Sequence, residues 1–251
     1  WKGIGFVIQA YQKRCFYVVD YIVDLAKRSE KRLMIRLVKG AYWDSEIKKA
    51  QIDGMTDYPV FTRKVHTDLS YIACAKKLLA APDQVYPQFA THNAQSLATI
   101  YTLADPSKYY PGQYEFQCLH GMGEPLYEQV VGSKEDHKLG VPCRVYAPVG
   151  NHETLLAYLV RRLLENGANT SFVNRIADKT LKVEDLIQSP IKDIQTSAKE
   201  EGQLGLKHPA IPLPHDLYPL RPNSNGFDLN NDQPLADLDA TAQKLHSHIW
   251  K

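Results

Sequence analysis

The residues best suited to do chemistry are two adjacent arginines, Arg161 and Arg162, inside an otherwise apolar helical pattern. Neighbouring guanidinium groups can hold a carboxylate with several charge-assisted hydrogen bonds, each worth about 1.5–3 kcal/mol. Glu165 follows four residues after Arg161 and three after Arg162, so the spacing alone favours an ordinary ion pair on a solvated helix face. The rest of the chain favours an anion-binding site instead.

The same helical pattern has an apolar side opposite the arginines. At about 100° per residue, Leu156, Leu163 and Leu164 lie within roughly 60° of Val160. This arc predicts a core stripe that anchors the helix and holds the arginines in place.

Polar side chains also occur at the ends of five strand-like runs. Ligands of parallel α/β proteins bind at the carboxyl ends of the strands, because loops and helix N-termini converge there. One buried polar group needs only a partner and would be unremarkable, but a polar set on every strand predicts a site. The set contains Gln9, Arg36, Lys39, Tyr42, Thr91, His92, Asn93, Gln117, His120 and Tyr146.

Short apolar runs alternate with helical patterns over the first 170 residues. The alternation predicts an α/β fold with about five βα units, parallel strands and a helical outer layer. A parallel (β/α)8-type barrel and an open doubly wound sheet both fit it, and the segment through Gly54 and Pro59 is interpreted as a polar connection. Strands are predicted at 4–10, 33–41, 86–90, 114–119 and 143–147, and helices at 16–28, 63–80, 95–103, 126–131 and 152–165.

The pattern changes beyond about residue 178. Short helices are predicted at 182–188 and 191–201, and a longer one at 238–249. Prolines concentrate between them at 209–222, where the missing amide donors predict an extended, irregular chain. We therefore expect residues 1–178 to form the incomplete barrel and residues 179–251 to form a linker towards another domain.

Composition narrows the class of protein. With 44% hydrophobic and 23% charged residues, the 251-residue chain is typical of a globular protein. Its 30 Lys and Arg nearly balance 28 Asp and Glu, which argues against nucleic-acid binding through this segment. No apolar run approaches the roughly 20 residues that cross a bilayer. The chain starts in a strand-like run without a signal peptide, so we expect an upstream portion to be missing.

The sequence lacks the motifs of several other kinds of functional site. The four cysteines are dispersed without CxxC or zinc spacing, which predicts reduced thiols in a cytoplasmic protein. His92 and His120 end successive strands as in metal-dependent barrel hydrolases, yet no carboxylate or His-x-His pair accompanies them. A Gly-x-Ser-x-Gly turn is missing, and the Gly3/Gly5 and Gly121/Gly123 pairs lack the third glycine of a dinucleotide fingerprint.

Five motifs, in order, resemble the proline dehydrogenase domain of the bifunctional proline utilization A family, over roughly residues 1–178. They are Arg36-Leu-Val-Lys-Gly-Ala-Tyr-Trp43, Phe89-Ala-Thr-His-Asn93, Phe116-Gln-Cys-Leu-His-Gly-Met-Gly-Glu124, Arg144-Val-Tyr-Ala-Pro-Val-Gly150 and Tyr158-Leu-Val-Arg-Arg-Leu-Leu-Glu-Asn-Gly167. The resemblance implies a distorted (β/α)8 barrel that binds FAD at the carboxyl ends of its strands. It also implies FAD-dependent oxidation of L-proline to Δ1-pyrroline-5-carboxylate in proline catabolism, with electrons passed to a membrane quinone.

Roles for individual residues follow from the resemblance. Arg36, near the reactive edge of the flavin, and Tyr146 are the implied catalytic residues. The proline carboxylate and ring would be held by Arg161, Arg162, Tyr42, Ala41, Leu119 and Tyr146. FAD would be contacted by Gln9, Arg36, Val38, Thr62, Lys64, Thr91, His92, Gln117, Glu165 and Phe172, and no metal ligand is implied.

Partners also follow from the resemblance. It implies missing N-terminal barrel strands and a C-terminal pyrroline-5-carboxylate dehydrogenase domain in the whole protein. It further implies a cytoplasmic location with peripheral contact at the inner face of the cytoplasmic membrane, and it leaves homo-oligomerisation open.

Two other functions stay open for this chain. It could be a non-catalytic scaffold or interaction fragment, or a metal-dependent barrel hydrolase that uses His92 and His120. Because a barrel of this type needs eight strands, we expect the isolated chain to bind FAD poorly and to turn over slowly, if at all.

Overall fold

The computed structural model describes residues 4–167, 175, 180 and 182–246. The chain forms two compact units, Trp1–Gly40 with Lys64–Gly205 and Ala41–Arg63 with Leu206–Lys251. This partition differs from the expected division at 178–179, because residues 41–63 belong to the second unit and residues 190–201 pack against a helix of the first. The expected division into a barrel part and a linker therefore stays a prediction.

The first unit contains one parallel sheet, and the predicted α/β class is confirmed. Each strand pairs with the next along the chain, so the strand order follows the sequence order. Helices in the connections satisfy the crossover rule for parallel strands. The strands are β1 Gly5–Gln9, β2 Leu33–Val38, β3 Val85–Ala90, β4 Glu115–Leu119 and β5 Cys143–Tyr146.

The helices follow the predicted patterns with one exception. The exception is α2 in the second unit, which lies in the segment predicted to be a polar connection. Only Ile47 and Ala50 of its residues are buried, so little of the helix is apolar. The last helix also begins earlier than predicted, since the Asn231 side chain accepts a hydrogen bond from the Gln233 amide and caps it. The helices within the described residues are α1 Cys15–Arg28, α2 Trp43–Ile52, α3 Lys64–Leu79, α4 Ala94–Leu103, α5 Glu124–Tyr127, α6 His152–Gly167, α7 Val183–Leu186, α8 Pro190–Glu201 and α9 Asp232–Leu245.

One face of the sheet forms the hydrophobic core with α1, α3 and α4. Side chains alternate between the two faces of a strand, and in β2 the core positions Ile35 and Leu37 are fully buried. In β3 and β4 the corresponding core positions are Phe89 and Phe116. The residues between them point to the opposite face. Packing of the core face against the helices therefore fixes the positions of the side chains on the opposite face.

An aromatic cluster anchors β3 and β4. Phe116 contacts Tyr114, Phe89 and Tyr127 with ring centroids 5.6, 6.3 and 6.2 Å away. Such pairs add about 0.5–1.5 kcal/mol each beyond the burial of apolar area. The Tyr127 hydroxyl also donates to the Thr91 carbonyl at 2.7 Å, which ties the cluster to the loop after β3.

Gly40 fixes the exit of the chain from β2. Its φ of +120° is unfavourable for other residues, and a Cβ there would lie 2.5 Å from the Tyr11 ring. Tyr11 is itself buried and donates its amide to the Lys39 carbonyl. A glycine is therefore required where the strand ends and the ring closes over it.

The predicted core stripe of α6 is wrong. Leu156, Leu163 and Leu164 are 62%, 71% and 67% exposed, whereas Arg161 and Arg162 are half-buried. The periodicity correctly indicates an apolar helix face, but it does not reveal whether the described chain covers that face.

The second unit has its own small core around α2. Tyr58 and Val60 are buried, and the Tyr58 hydroxyl donates to the Pro212 carbonyl at 2.7 Å. The proline-rich segment is irregular as predicted, with a short 3-10 turn at Pro214–Asp216. Among the described residues, none of the helices combines the length and the apolar character needed to span a bilayer.

Candidate functional site

The polar face of the sheet carries most of the predicted strand-end residues. Gln9 pairs with Val38, and Leu119 pairs with Tyr146 across neighbouring strands. Their side chains alternate with the buried core positions, so they share the face that points away from α1, α3 and α4. The structure thus brings these residues together at the carboxyl end of the sheet.

Arg36 connects three strands at this end. Its Nε donates to Gln117 Oε1 at 2.8 Å, and its guanidinium carbon lies 4.8 Å from the centre of the Tyr146 ring. The stacking over an aromatic face and the charge-assisted hydrogen bond both restrict the planar cation. The two predicted catalytic residues, Arg36 and Tyr146, are therefore in direct contact.

Glu115 was not among the predicted site residues, but its carboxylate is hydrogen-bonded to Gln117. Glu115 is 4% exposed, and its carboxylate accepts five hydrogen bonds. The donors are Tyr86 Oη at 3.0 Å, Gln88 Nε2 at 2.8 Å, Gln117 Nε2 at 2.9 Å, and Arg144 Nε and Nη2 at 2.7 and 2.8 Å. The available signal was the period of two, which puts Glu115 on the same face as Gln117.

The charge of Glu115 is fixed by these donors. Burial opposes ionisation, but the hydrogen bonds from Arg144, Gln117, Gln88 and Tyr86 outweigh it and hold the pKa of the Glu115 carboxyl below its usual value. The same carboxylate raises the pKa of Arg144 through its hydrogen bonds. Glu115 is thus a negative charge inside the polar face at neutral pH.

The loop after β3 contributes Thr91, His92 and Asn93. Thr91 is buried and its Oγ1 accepts the Asn93 amide at 3.1 Å, while Asn93 Oδ1 caps α4 by accepting the Ser96 amide at 3.0 Å. His92 Nε2 accepts the Leu119 amide at 3.0 Å. These bonds join the ends of β3 and β4 and set the orientation of the imidazole.

The pKa of His92 depends on burial and on the arginines around it. Burial lowers the pKa of His92, and the positive charges of Arg162 and Arg36 lower it further, against a smaller opposite effect of Glu124. His92 is therefore neutral, as the acceptor role of Nε2 requires. Arg162, from α6, and Arg36, from β2, both act on the same strand end.

Arg162 packs on its own helix, with the guanidinium carbon 5.3 Å from the centre of the Tyr158 ring. This contact and the partial burial of Arg161 and Arg162 fit a binding role better than a fully solvated face. The side chain of Glu165 and the whole of Phe172 lie outside the described residues, so their predicted roles stay predictions.

Lys64 lies in an ion-pair cluster at the start of α3. Its Nζ is 2.7 Å from Asp68 Oδ2, and Lys39 Nζ, from the end of β2, is 2.5 Å from Asp68 Oδ1. Burial lowers the pKa of Lys39, while for Asp68 the two lysine charges outweigh burial and lower its pKa. Two lysine side chains therefore share one carboxylate.

Three predicted site residues belong to the second unit. Ala41 and Tyr42 are exposed, and the Tyr42 carbonyl accepts the Glu46 amide at the start of α2. Thr62 is buried, and its Oγ1 accepts the His208 amide at 2.9 Å. Tyr42 and Thr62 thus have hydrogen-bond partners within their own unit.

The donor set of the polar face suits an organic anion. Within residues 4–167, 175, 180 and 182–246, no group of three or more His, Cys, Asp or Glu side chains is arranged to hold a metal ion. What the face presents is a guanidinium, a carboxamide and an aromatic ring, from Arg36, Gln117 and Tyr146. Such groups match a planar, electron-rich ligand with acceptor atoms.

Comparison with known proteins gives one consistent answer. The chain is 68% identical to the bifunctional protein PutA of Klebsiella aerogenes and 69% identical to that of Escherichia coli K12, over 252 aligned residues in each case. These alignments cover 100% of the chain and 19% of each relative. The chain thus spans about a fifth of the length of the curated relatives that it matches.

A solved structure has the same fold. The crystal structure of a mutant of proline utilization A from Bradyrhizobium japonicum matches with a TM-score of 0.83 and 50% identity, over 97% of this chain and 24% of that chain. The sequence profile of the family described as proline dehydrogenase matches residues 1–175. With its parallel βα units and the matching motifs, the chain belongs to the proline dehydrogenase family.

Proposed function

We propose that this chain supplies part of the active site of an FAD-dependent proline dehydrogenase, which oxidises L-proline to Δ1-pyrroline-5-carboxylate. The observation that carries the proposal is the contact of Arg36 with Gln117 and Tyr146 at the carboxyl end of the sheet. In a member of this family, a cation in that place suits a flavin. The half-buried Arg161 and Arg162 suit an amino-acid carboxylate.

The residues present fit FAD. Gln9, Arg36, Val38 and Gln117 would hold it from the strands, and Thr91 and His92 would hold it from the loop after β3. Lys64, Thr62, Glu165 and Phe172 would bind its more distant parts. When bound, FAD supplies the two-electron acceptor for the oxidation. A guanidinium beside it favours negative charge at that edge.

The substrate would be held by charge and shape. Arg161 and Arg162 would bind the carboxylate of proline, since two guanidinium forks on one rigid helix orient it as well as attract it. Tyr146, Leu119, Tyr42 and Ala41 would enclose the ring and keep larger amino acids and water out. Orientation matters more than acid–base power for a hydride transfer.

The wider role follows the relatives. The PutA proteins are named bifunctional, which supports a second, pyrroline-5-carboxylate dehydrogenase activity in the whole protein. A membrane quinone as electron acceptor, peripheral contact with the cytoplasmic membrane and homo-oligomerisation complete the proposal. None of them needs a nucleic-acid contact through this segment.

The test uses the complete gene product that contains this chain. Purified protein should carry flavin, and anaerobic L-proline should bleach its absorbance and yield Δ1-pyrroline-5-carboxylate by mass spectrometry. D-proline serves as the matched control, because it has the same mass and charge but places the reacting hydrogen differently. A flavin-free protein, or one whose flavin L-proline does not reduce, would contradict the proposal and favour the scaffold alternative.

A further inference from the structure

A buried carboxylate, Glu115, lies on the polar face of the sheet and accepts a hydrogen bond from Gln117, one of the groups assigned to the flavin. Glu115 lies two residues before Gln117 on β4, and its backbone pairs with Gln88 of β3. Gln88 in turn pairs with Arg36 of β2. Glu115 therefore belongs to the same layer of the sheet as the Arg36 backbone, while Gln117 lies nearer the carboxyl end.

The hydrogen bonds form a directed chain from Glu115 to Arg36. Gln117 Nε2 donates to Glu115 Oε1 at 2.9 Å, and Gln117 Oε1 accepts from Arg36 Nε at 2.8 Å. An ionised carboxylate can only accept hydrogen bonds. The amide of Gln117 must therefore turn its NH2 group towards Glu115 and its oxygen towards Arg36.

Arg144 keeps the carboxylate in place and charged. It donates through both Nε and Nη2, a bidentate pair in which the carboxylate cannot rotate without breaking a bond. Tyr86 and Gln88 hold the remaining acceptor positions. The orientation of the Gln117 amide is thus set by a carboxylate that is itself held from three sides.

We propose that Glu115 is a positioning residue for Arg36 that acts through the Gln117 side chain and fixes the guanidinium plane against Tyr146. This inference rests on the proposed function, because Arg36 is assigned to the flavin there. A neutral side chain at position 115 would weaken the hydrogen bond that holds the Gln117 NH2 group, and only the Arg36 Nε–H would then oppose rotation of the amide. The Arg36 guanidinium would then lose its acceptor for part of the time.

The test compares Glu115→Gln with the wild-type complete gene product. The variant should lower kcat by about 10- to 100-fold, as expected when a supporting hydrogen bond is lost, while KM for L-proline changes less than about twofold. The flavin midpoint potential, measured by spectroelectrochemistry, should become more negative because the cation is less well placed. Glu128→Gln is the matched control, since it makes the same chemical change at an exposed helix end.

A measurement on the flavin-free protein tests the position of the Arg36 side chain independently of catalysis. The Arg36 Nε–H signal in 15N NMR, assigned with Arg36→Lys, should show slow exchange with water in the wild type and fast exchange in Glu115→Gln. Glu115→Asp, which keeps the charge, should recover part of the kcat and of the potential. In an Arg36→Lys background, Glu115→Gln should change the potential little, because the two substitutions remove the same interaction.

The results distinguish failure of the positioning role from failure of the proposed function. Unchanged kcat, potential and Nε–H exchange in Glu115→Gln would overturn the positioning role, although wild-type reduction by L-proline would leave the proposed function standing. A wild type that L-proline does not reduce would overturn both. If Glu115→Gln does not fold, Gln117→Met removes the same link and leaves the Arg144 pair intact, and an unchanged potential in that variant would overturn the proposal.

Discussion

Single residues on the polar face of the sheet are held by specific partners. Arg36 has an amide acceptor and an aromatic ring, His92 accepts a backbone amide, and Glu115 is surrounded by donors. Such a network is rigid when every member is satisfied. The charges of these residues should affect substrate binding and the pH dependence of stability, and both effects can be measured.

Replacing Arg161 and Arg162 together by Met should raise KM for L-proline by about 100-fold or more in the complete gene product. Two guanidinium contacts of about 1.5–3 kcal/mol each are lost, while bound flavin is retained because most of its predicted ligands lie on the sheet or in the loop after β3. Steady-state kinetics with flavin quantitation measures both. Arg28→Met in α1 controls for general loss of charge, and an unchanged KM in the double variant would contradict the carboxylate assignment.

Glu115 should make the stability of the chain depend on acid pH. Its pKa is lower in the folded state than the reference value of 4.5, so its contribution is fully present above pH 4.5. The contribution declines below that pH, as the unfolded state takes up protons first. The free energy of unfolding should thus differ between wild type and Glu115→Gln by on the order of 2 kcal/mol at pH 7.

Urea unfolding at several pH values checks this dependence, with Glu128→Gln as the reference variant. The difference between wild type and Glu115→Gln should shrink as the pH falls below 4.5. A difference that stays constant down to pH 3 would mean that Glu115 contributes through shape rather than charge.

At the scale of elements, the two sides of the sheet and helix α6 behave differently. The core side contains fully buried aromatics such as Phe116, whereas Leu163 on α6 is 71% exposed. An amphipathic helix gains stability only where its apolar face is covered. In the described chain, the sheet and its helices therefore hold the fold, and the apolar side of α6 adds little.

Phe116→Ala should lower the free energy of unfolding of the isolated chain by about 3–5 kcal/mol, because it leaves a cavity between β4 and the helices. Leu163→Ser should change it by less than about 0.5 kcal/mol, as expected for an exposed site. Urea unfolding followed by circular dichroism measures both. A cost for Leu163→Ser close to that of Phe116→Ala would show that the apolar face of α6 is covered in solution.

At the scale of the molecule, the described part of the chain forms an open sheet and a second small unit. Among the described residues, the outer strands β1 and β5 each pair with only one neighbour, and an unpaired strand edge invites association. The relatives are about five times longer than the chain. We therefore predict that these 251 residues alone do not form a complete cofactor site.

The isolated chain should purify with little flavin and show slow or undetectable reduction by L-proline. Co-expression with the segment that precedes the aligned region in the Escherichia coli relative should restore flavin binding, because it would add partners for the open sheet. Flavin absorbance per chain measures the difference, and an unrelated segment of equal length is the control. Robust bleaching of the isolated chain by L-proline would refute the prediction.

The sequence by itself determined the elements and the family. Alternation of apolar residues with period two or near 3.6 is a local property, so β1–β5 and α1, α3 and α4 could be found within a few residues. The motifs around Arg36, His92, Tyr146 and Arg161 are equally local, and they identify the proline dehydrogenase family without any information about the fold.

The tertiary structure decided which groups meet and which faces are covered. Glu115 accepts hydrogen bonds from Arg144 of another strand, and Asp68 forms an ion pair with Lys39 at the end of β2, although no local pattern specifies these two pairs. The apolar stripe of α6 was visible in the sequence, but its exposure was not. Burial and pairing depend on distant segments that pack together, and the periodicity of a single segment carries no information about its neighbours in space.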